Sequence, residues 1–500
     1  MKLLSVTALL ALAAATVAPS DAWAGDNRPA KPDMKLSVPA YNLSTNVYTF
    51  PTGLRVMMQS DRSYPTVGVY SVVNHGSADD PPDLAEVAHF VEHTWFRSVH
   101  GELPPVMDVI QDVGTVFNAT THSDWTDYQT FASSKYLNQL LTLESLRLTE
   151  PYIGVTEEQI TIEREVIRNE WRRRNEQSYA LLFNYMSEVV YPEGHGFHVS
   201  STHDTIDNIK LKNLQDFFDE HYTPDETTVF VVGDFSPEPL EQLSLIFANF
   251  DPKLLHDDMT EEDIFSFPKP GIENPDPENP DHVLTGAWDP ADREKEPEER
   301  ALFPLVPNSQ WEPRISEERP PVPEVGTTEI VTKQWPLEQK NVVVAWSLPG
   351  GYRSDHWVLR VMGGVVGNFV RRGFQEDIDR KRIGEVACGG WPEVTNTTFF
   401  CYAEVKDKKL DTERVRAQIL DQLSQVWNPE IAQSNIIGGY EQELSRARNE
   451  ILAFTLQGID EYIAISAGRA ADTAVHAHYT GEPKFYSDGM AQIMNVDGGA

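Results

Sequence analysis

Residues 251–325 constrain this 500-residue chain more than any other stretch. They carry twenty acidic against seven basic side chains, are rich in proline, and show few apolar periods. Proline interrupts both helix and sheet, and unbalanced charge opposes collapse, so the stretch reads as a long, mostly irregular insertion. A packed third domain is the competing reading. The chain is then divided into a leader (1–24), a first domain (25–250), the insertion (251–325) and a second domain (326–500). Five hundred residues exceed a single ordinary core, which agrees with that division.

On either side of the insertion the apolar pattern alternates between strand and helix periods. Strands are expected over 45–75, a helix over 83–99, and two strands in "GTVFNATTHSDWTDYQTFAS". Helices follow over 134–150, 155–185 and 206–221, then a buried strand in "TTVFVVGDF". After the insertion, "TTEIVTKQWPLEQKNVVVAWSLPGG" resembles "GLRVMMQSDRSYPTVGVYSVVNHGS": strand, polar loop, strand, glycine turn. That is a weak internal repeat. A helix, a hairpin and a further helix carry the pattern to residue 482. The expected class is α+β: two related domains, each a mostly antiparallel sheet packed with helices, joined by the acidic Pro-rich insertion.

Lys2, the apolar run "LLSVTALLALAAATVA" and "AWA" ending at Ala24 make a secretory leader, cut near Ala24. A periplasmic or secreted location is expected. No later segment is apolar enough to span a bilayer. The net charge of −36 argues against nucleic-acid or anionic-membrane partners. The two cysteines, Cys388 and Cys401, fall roughly opposite each other in a hairpin turning near Val394 to Asn396. A cross-strand disulfide and a pair of free buried thiols both remain open.

Candidate chemistry begins at "AHFVEHTWF". On a helix, His89 and His93 are one turn apart and share a face, so both imidazoles can reach one Zn²⁺. Glu92 sits beside them, where a carboxylate can accept the proton of an attacking water. Two satisfied core histidines would be the plainer reading of that motif alone. A zinc site needs a third protein ligand. "TIEREVIRNEWRRR" offers Glu163 and Glu170, two turns apart on one helical face, with Ile162, Val166 and Ile167 expected to hold that helix on the core. His75, His100, His122, His195, His198 and His221 read as loop or surface residues.

"HFVEH" followed by "EREVIRNE" resembles the pitrilysin/insulinase family of metallopeptidases, M16, whose zinc motif is the inverted H-x-x-E-H. Glu170 lies 77 residues past His93, where the family's third ligand falls. "NHGSADD", "FNATTHSDWTDY" and "HYTPDETTVFVVGDF" are similar to further stretches of its first domain. The resemblance implies His89, His93 and Glu170 as ligands of one zinc per catalytic site, Glu92 as general base, and Glu163 as a supporting acidic residue. It implies that Phe117, Asn118, Ala119 and Thr120 form a strand that pairs with extended peptide substrates. The implied activity is peptide hydrolysis by a secreted zinc endopeptidase. A non-catalytic peptide-binding or assembly subunit, and a specific processing peptidase, are the alternatives.

Two departures from the family pattern stand out. Glu86 occupies a position, three residues before His89, where most members have glycine; a helix tolerates that exchange. In "DRKRIGEVACGGW", Arg380 fits the family's carbonyl-binding arginine, but the tyrosine expected seven residues on is Ala387. No closing strand follows "MAQIMNVDGGA". The family builds its chamber from four such domains. The expectation is therefore a zinc-bearing half whose missing arginine and tyrosine come from a second half or partner subunit, with a homodimer as the competing case.

Overall fold

The computed structural model of the protein describes residues 45–49, 53–235, 340–349, 356–426, 443–453, 467–480 and 485–495, with short interruptions at 63, 102–103, 114–115, 177, 192–194, 199–200 and 395. The leader, the acidic stretch 251–325 and the first strand expected after residue 326 lie outside these residues.

Strands β1 (Thr45–Thr49), β2 (Arg55–Ser60), β3 (Thr66–Val73), β4 (Val116–Thr121), β5 (Thr126–Ser133) and β6 (Thr227–Gly233) form one sheet in the order β1-β2-β6-β3-β5-β4. Its one parallel pair is β2 with β6; the other pairs are antiparallel. Strands β7 (Lys340–Pro349), β8 (Ile383–Pro392) and β9 (Asn396–Val405) form a second, wholly antiparallel sheet in the order β7-β9-β8. The expected α+β class, with mostly antiparallel sheets and helices against them, is what the chain adopts.

The helices of the first part are α1 (Val87–Thr94), α2 (Val106–Asp112), α3 (Leu137–Thr149), α4 (Glu157–Glu176), α5 (Ser178–Val190), α6 (His203–Asn208) and α7 (Leu211–His221). Those of the second are α8 (His356–Gly373), α9 (Gln375–Asp379), α10 (Thr412–Val426), α11 (Ala467–Thr480) and α12 (Phe485–Asn495), with residues 443–453 also helical. Three expected helices are shorter or divided. The first starts at Val87 rather than 83, and 155–185 resolves into α4 and α5. The helix over 206–221 breaks at Ile209, whose backbone is extended and whose carbonyl accepts from the Arg164 guanidinium at 2.5 Å.

The central strands are buried on both faces. Val56 and Met58 of β2, Val67 and Val69 of β3, and Val229 and Val231 of β6 pack with Leu140, Leu141 and Leu148 of α3. The alternate residues Met57, Tyr70, Val72, Phe230 and Val232 pack with Ala474, Val475, Ala477 and Tyr479 of α11, an element of the second part. This explains why "TVFVVG" reads as an unbroken apolar run: neither face meets water. The parts are further joined by polar contacts. Asp124 Oδ2 accepts from the Val394 amide at 2.6 Å, Tyr191 Oη lies 2.7 Å from Thr398 Oγ1, and Thr228 Oγ1 lies 2.7 Å from His478 Nδ1. Among the described residues, β4 is one of the two edge strands of the first sheet, opposite β1.

The hairpin turns where the sequence placed it, and Cys388 stands directly opposite Cys401. The two are joined as a disulfide closing a separation of 13 residues. In the chain-entropy account a loop of that size contributes about 3 kcal/mol. Replacing both cysteines by serine should therefore lower the denaturant midpoint with little change in m-value, and added reductant should do nothing more to that variant. An unchanged midpoint would show that the crosslink is not formed in solution.

Candidate metal centre

The helix that carries "HFVEH" is set in place by the turn before it. The Ser77 and Ala78 amides donate to the carbonyls of His122 and Ser123 at 2.9 and 2.8 Å. Gly76 makes that approach feasible, since a β-carbon there would lie 2.2 Å from the His122 carbonyl oxygen. The turn delivers Asp80, whose carboxylate accepts from the amides of Glu86 (2.7 Å) and Ala88 (2.9 Å). Asp80 thus takes the N2 donor that an N-cap side chain ordinarily satisfies, and the amide of the N-cap residue as well. Val87, Ala88, Phe90 and Val91 are buried in the core beneath.

Glu86 itself is not in the helix. It is the N-cap, at φ 90° and ψ 6°, in the left-handed region. The expectation that a helix absorbs the exchange of glycine for glutamate is corrected here. This backbone favours glycine, and a residue with a β-carbon pays about 1–2 kcal/mol to hold it.

The second helix of the site, α4, starts on a capping box. Thr156 Oγ1 accepts from the Gln159 amide at 3.3 Å, and Gln159 Oε1 accepts from the Thr156 amide at 2.8 Å. Its inward face is Ile160, Glu163, Ile167, Glu170 and Arg174, spaced at three and four residues. Ile160 and Ile167 are fully buried, each stabilising the contact by about 1.5–3 kcal/mol. Ile162 and Val166, expected to hold the helix down, are 53% and 36% exposed. At about 100° per residue they lie some 80–120° round from the inward face.

The two helices bring together three of the residues singled out by sequence. His89 Nε2 lies 3.5 Å and His93 Nε2 3.7 Å from Glu170 Oε2. The ligand atoms of this trio lie within 4.8 Å of one another, the one such cluster among the described residues. Donors about 2.0–2.1 Å from a tetrahedral zinc stand about 3.3–3.4 Å apart, which the two imidazole–carboxylate separations of 3.5 and 3.7 Å approach. Two imidazoles and a carboxylate are also the donor set of a catalytic site, which leaves a fourth position open.

Each imidazole is held from behind. His93 Nδ1 lies 3.2 Å from Glu163 Oε2, and Glu163, only 3% exposed, accepts from Arg97 Nε at 2.6 Å. His89 Nδ1 lies 2.8 Å from Glu86 Oε2, and Glu86 accepts from Arg174 Nη2 at 3.0 and 2.8 Å. Burial alone would lower the His89 pKa, but its hydrogen bonds to Glu170 and Glu86 outweigh that and raise it to about 10. Burial would likewise raise Glu170, but His89 holds it down at about 2.

Glu92 is buried on α1, and its Oε2 accepts from Thr121 Oγ1 at 2.7 Å. Thr121 ends the edge strand β4, so Phe117, Asn118, Ala119 and Thr120 lead directly to the base candidate. Val116 and Asn118 are exposed, while Phe117 turns in against Phe96. The structure does not bring Arg380 into a comparable role. Its side chain is 61% exposed and pairs with Glu376 at 2.6 Å. Ala387 faces Tyr402 across the hairpin.

Sequence reasoning missed Arg97, Thr121 and Arg174, and read Glu86 only as a tolerated exchange. Arg174 was findable, being one turn past Glu170 on the same face; Arg97 and Thr121 depend on contacts that spacing does not encode. Of the histidines taken as loop or surface, His100 and His195 are buried and His221 ends α7. His100 Nε2 lies 3.2 Å from Ser98 Oγ, and its Nδ1 lies 3.7 Å from Glu150. That order imitates a nucleophile triad, but Ser98 is fully buried and donates to the Trp95 carbonyl at 2.8 Å. No substrate carbonyl can reach it.

Comparison with known proteins bears on the family. Residues 55–199 match the model of insulinase, peptidase family M16, and residues 208–435 match that of the peptidase M16 inactive domain. The chain is 27% identical over 201 residues to the zinc protease PqqE of Helicobacter pylori, covering 39% of this chain and 45% of that protein. It is 20% identical over 210 residues to the zinc protease YmxG of Bacillus subtilis, covering 41% and 50%. These matches span at most about half the length of the curated relatives. Among solved structures, a protease from Helicobacter pylori superposes with a TM-score of 0.65 at 17% identity, over 91% of this chain and 94% of that one. The periplasmic protease PqqL from Escherichia coli gives 0.56 at 16% identity, over 92% of this chain but 45% of that one. No helix among the described residues is long and apolar enough to cross a membrane. With both family models matched in order along the chain, on a two-domain α+β fold shared with solved relatives, the chain belongs to peptidase family M16.

Proposed function

We propose that the chain is the zinc-bearing half of an exported endopeptidase that cleaves extended peptides or unfolded segments. The observation that carries this is the convergence of His89 Nε2, His93 Nε2 and Glu170 Oε2 beside Glu92, at the end of a free sheet edge. When bound, zinc supplies Lewis acidity toward the scissile carbonyl and makes a water acidic enough to attack near neutral pH. Glu92 accepts the proton of that water and passes it to the leaving amine. Thr121 holds the carboxylate in orientation. Asn118 and its neighbours on β4 add the substrate as a further strand, which aligns the scissile bond along the edge.

Export is supported by the leader ending at Ala24 and by the disulfide, which persists in oxidising compartments. Dependence on a second half or partner subunit is supported by Arg380, engaged with Glu376, and by Ala387 in place of a phenol. The processing-peptidase reading has its support in the 25% identity over 209 residues to a mitochondrial-processing peptidase subunit beta of Arabidopsis thaliana.

Four outcomes are expected. Glu92→Gln should keep its zinc through dialysis yet lower peptide cleavage by about 10²–10⁴-fold, because it deletes a proton acceptor and no ligand. Glu170→Gln should lose zinc under the same dialysis. Near wild-type cleavage by the first variant, or full metal retention by the second, would remove that residue from its role.

The third outcome concerns pH. In the metal-free protein the raised His89 pKa contributes stability that is present below about pH 6.5 and lost as pH rises through about 10. The depressed Glu170 contributes stability above about pH 4.5 that is lost as pH falls through about 2. Zinc requires His89 unprotonated at Nε2, so the rise in melting temperature on adding zinc should grow between pH 6 and pH 9. A pH-independent zinc increment would contradict it.

Finally, purified 25–500 should hydrolyse a mixed peptide library poorly at concentrations where light scattering fixes its oligomeric state. Robust hydrolysis by that chain, abolished by Arg380→Ala, would favour the homodimer instead.

A further inference from the structure

Both imidazoles of the candidate centre are backed by the same three-group chain: arginine, carboxylate, Nδ1. For His93 the chain is Arg97, Glu163, Nδ1. For His89 it is Arg174, Glu86, Nδ1. The second chain stands on a residue whose left-handed backbone suits glycine better than glutamate. A strained conformation persists only where surrounding contacts over-determine it. Here those contacts are the Asp80 carboxylate on the Glu86 amide, and Arg174 and His89 on its side chain. Glu86 is buried, and it faces the imidazole nitrogen that points away from Glu170. Arg174 lies one turn beyond Glu170 on the inward face of α4, so its bond to Glu86 spans from the helix of the third ligand to the entry of the helix bearing the first.

We propose that Glu86, held by Arg174, is a positioning residue for the metal centre. It accepts a hydrogen bond from the Nδ1–H of His89, which leaves the Nε2 lone pair directed at the ion and fixes the ring plane. A carboxylate in that place also raises the basicity of the ligand, and loss of such a partner typically weakens metal binding by about 10–100-fold. The Glu86–Arg174 bond has a second consequence: it limits how far Glu170 can drift from His89 before metal arrives. The inference rests on the zinc reading of His89, His93 and Glu170.

The backbone supplies an unusual test. Glu86→Gly removes the carboxylate while relieving the left-handed strain, so metal affinity and fold stability should separate. Zinc affinity is measured by competition with a chelating dye, alongside the absorption bands of the cobalt(II)-substituted protein and the melting temperature of the metal-free form. Glu86→Gly is expected to bind zinc about 10–100-fold more weakly, with altered cobalt bands, while its metal-free melting temperature stays within a few degrees of wild type. Glu86→Gln, whose amide oxygen still accepts from Nδ1, should lose less affinity than Glu86→Gly. Wild-type zinc affinity and cobalt bands in Glu86→Gly would overturn the proposal. So would a loss of affinity accompanied by a comparable loss of metal-free stability, which would make Glu86 a structural strut. Should Glu86→Gly fail to fold, Glu86→Ala, which also lacks an acceptor for Nδ1, decides: unchanged affinity and unchanged cobalt bands overturn the positioning role. Failure of the wild-type chain to bind zinc would overturn the metal reading and this inference with it.

Discussion

The contact between α1 and the inward face of α4 is what the site depends on. Ile160 and Ile167 bury completely against α1 and its neighbours, and the same face then carries Glu163 into the interior and Glu170 and Arg174 to the rim of the site. Carboxylates and guanidinium groups taken from water need partners, or their burial costs more than the apolar contact returns. Every charged group on this face has one: Glu163 with Arg97 and His93, Glu170 with His89, Arg174 with Glu86. The apolar residues set the spacing of the helices, and the charged residues then accept only one register between them. That register is the one in which two imidazole nitrogens meet a carboxylate oxygen.

The same economy governs the sheet. Its middle strands are apolar on both faces because α3 covers one and α11 the other. The helix α11 comes from the far end of the chain, so the second part contributes directly to the core of the first. Hydrogen bonds such as Asp124 to Val394 and Thr228 with His478 then fix the two parts in place. At the opposite edge, β4 keeps its outer backbone groups unpaired within the sheet. A free edge is an aggregation hazard unless it has a use. Ending at Thr121 and Glu92, this one has a candidate use in aligning a peptide strand.

Much of the candidate site was legible because its residues obey helical periodicity. His89 and His93 at one-turn spacing, and Glu163 and Glu170 at two turns, share faces in any α-helix, whatever surrounds them. The apolar companions were legible less well. Ile162 and Val166 have the right chemistry for a core, yet they lie on the exposed side, because the helix rotates to bury Glu163 with Ile160 and Ile167. Local composition cannot foresee a rotation chosen by contacts with another helix. Glu86 fails for a related reason: as part of a helix it is unremarkable, and only its left-handed backbone and its contacts with His89 and Arg174 give it meaning.

By itself, the sequence determined the α+β class, the hairpin at residues 383–405, the opposition of Cys388 and Cys401, and the set of imidazoles and carboxylates available to a metal. These follow from periods of two and 3.6 residues and from turn chemistry, which act over a few residues. The tertiary structure decided the rest: that α11 closes the back of the first sheet, that β4 is its edge, and that each histidine nitrogen facing away from Glu170 meets a carboxylate already held by an arginine. Apart from the contact of Glu86 with His89, three positions away, most of those outcomes depend on pairings between residues far apart in the chain, 66 positions for Arg97 with Glu163 and 88 for Arg174 with Glu86, and no local pattern records which partner a buried group will find.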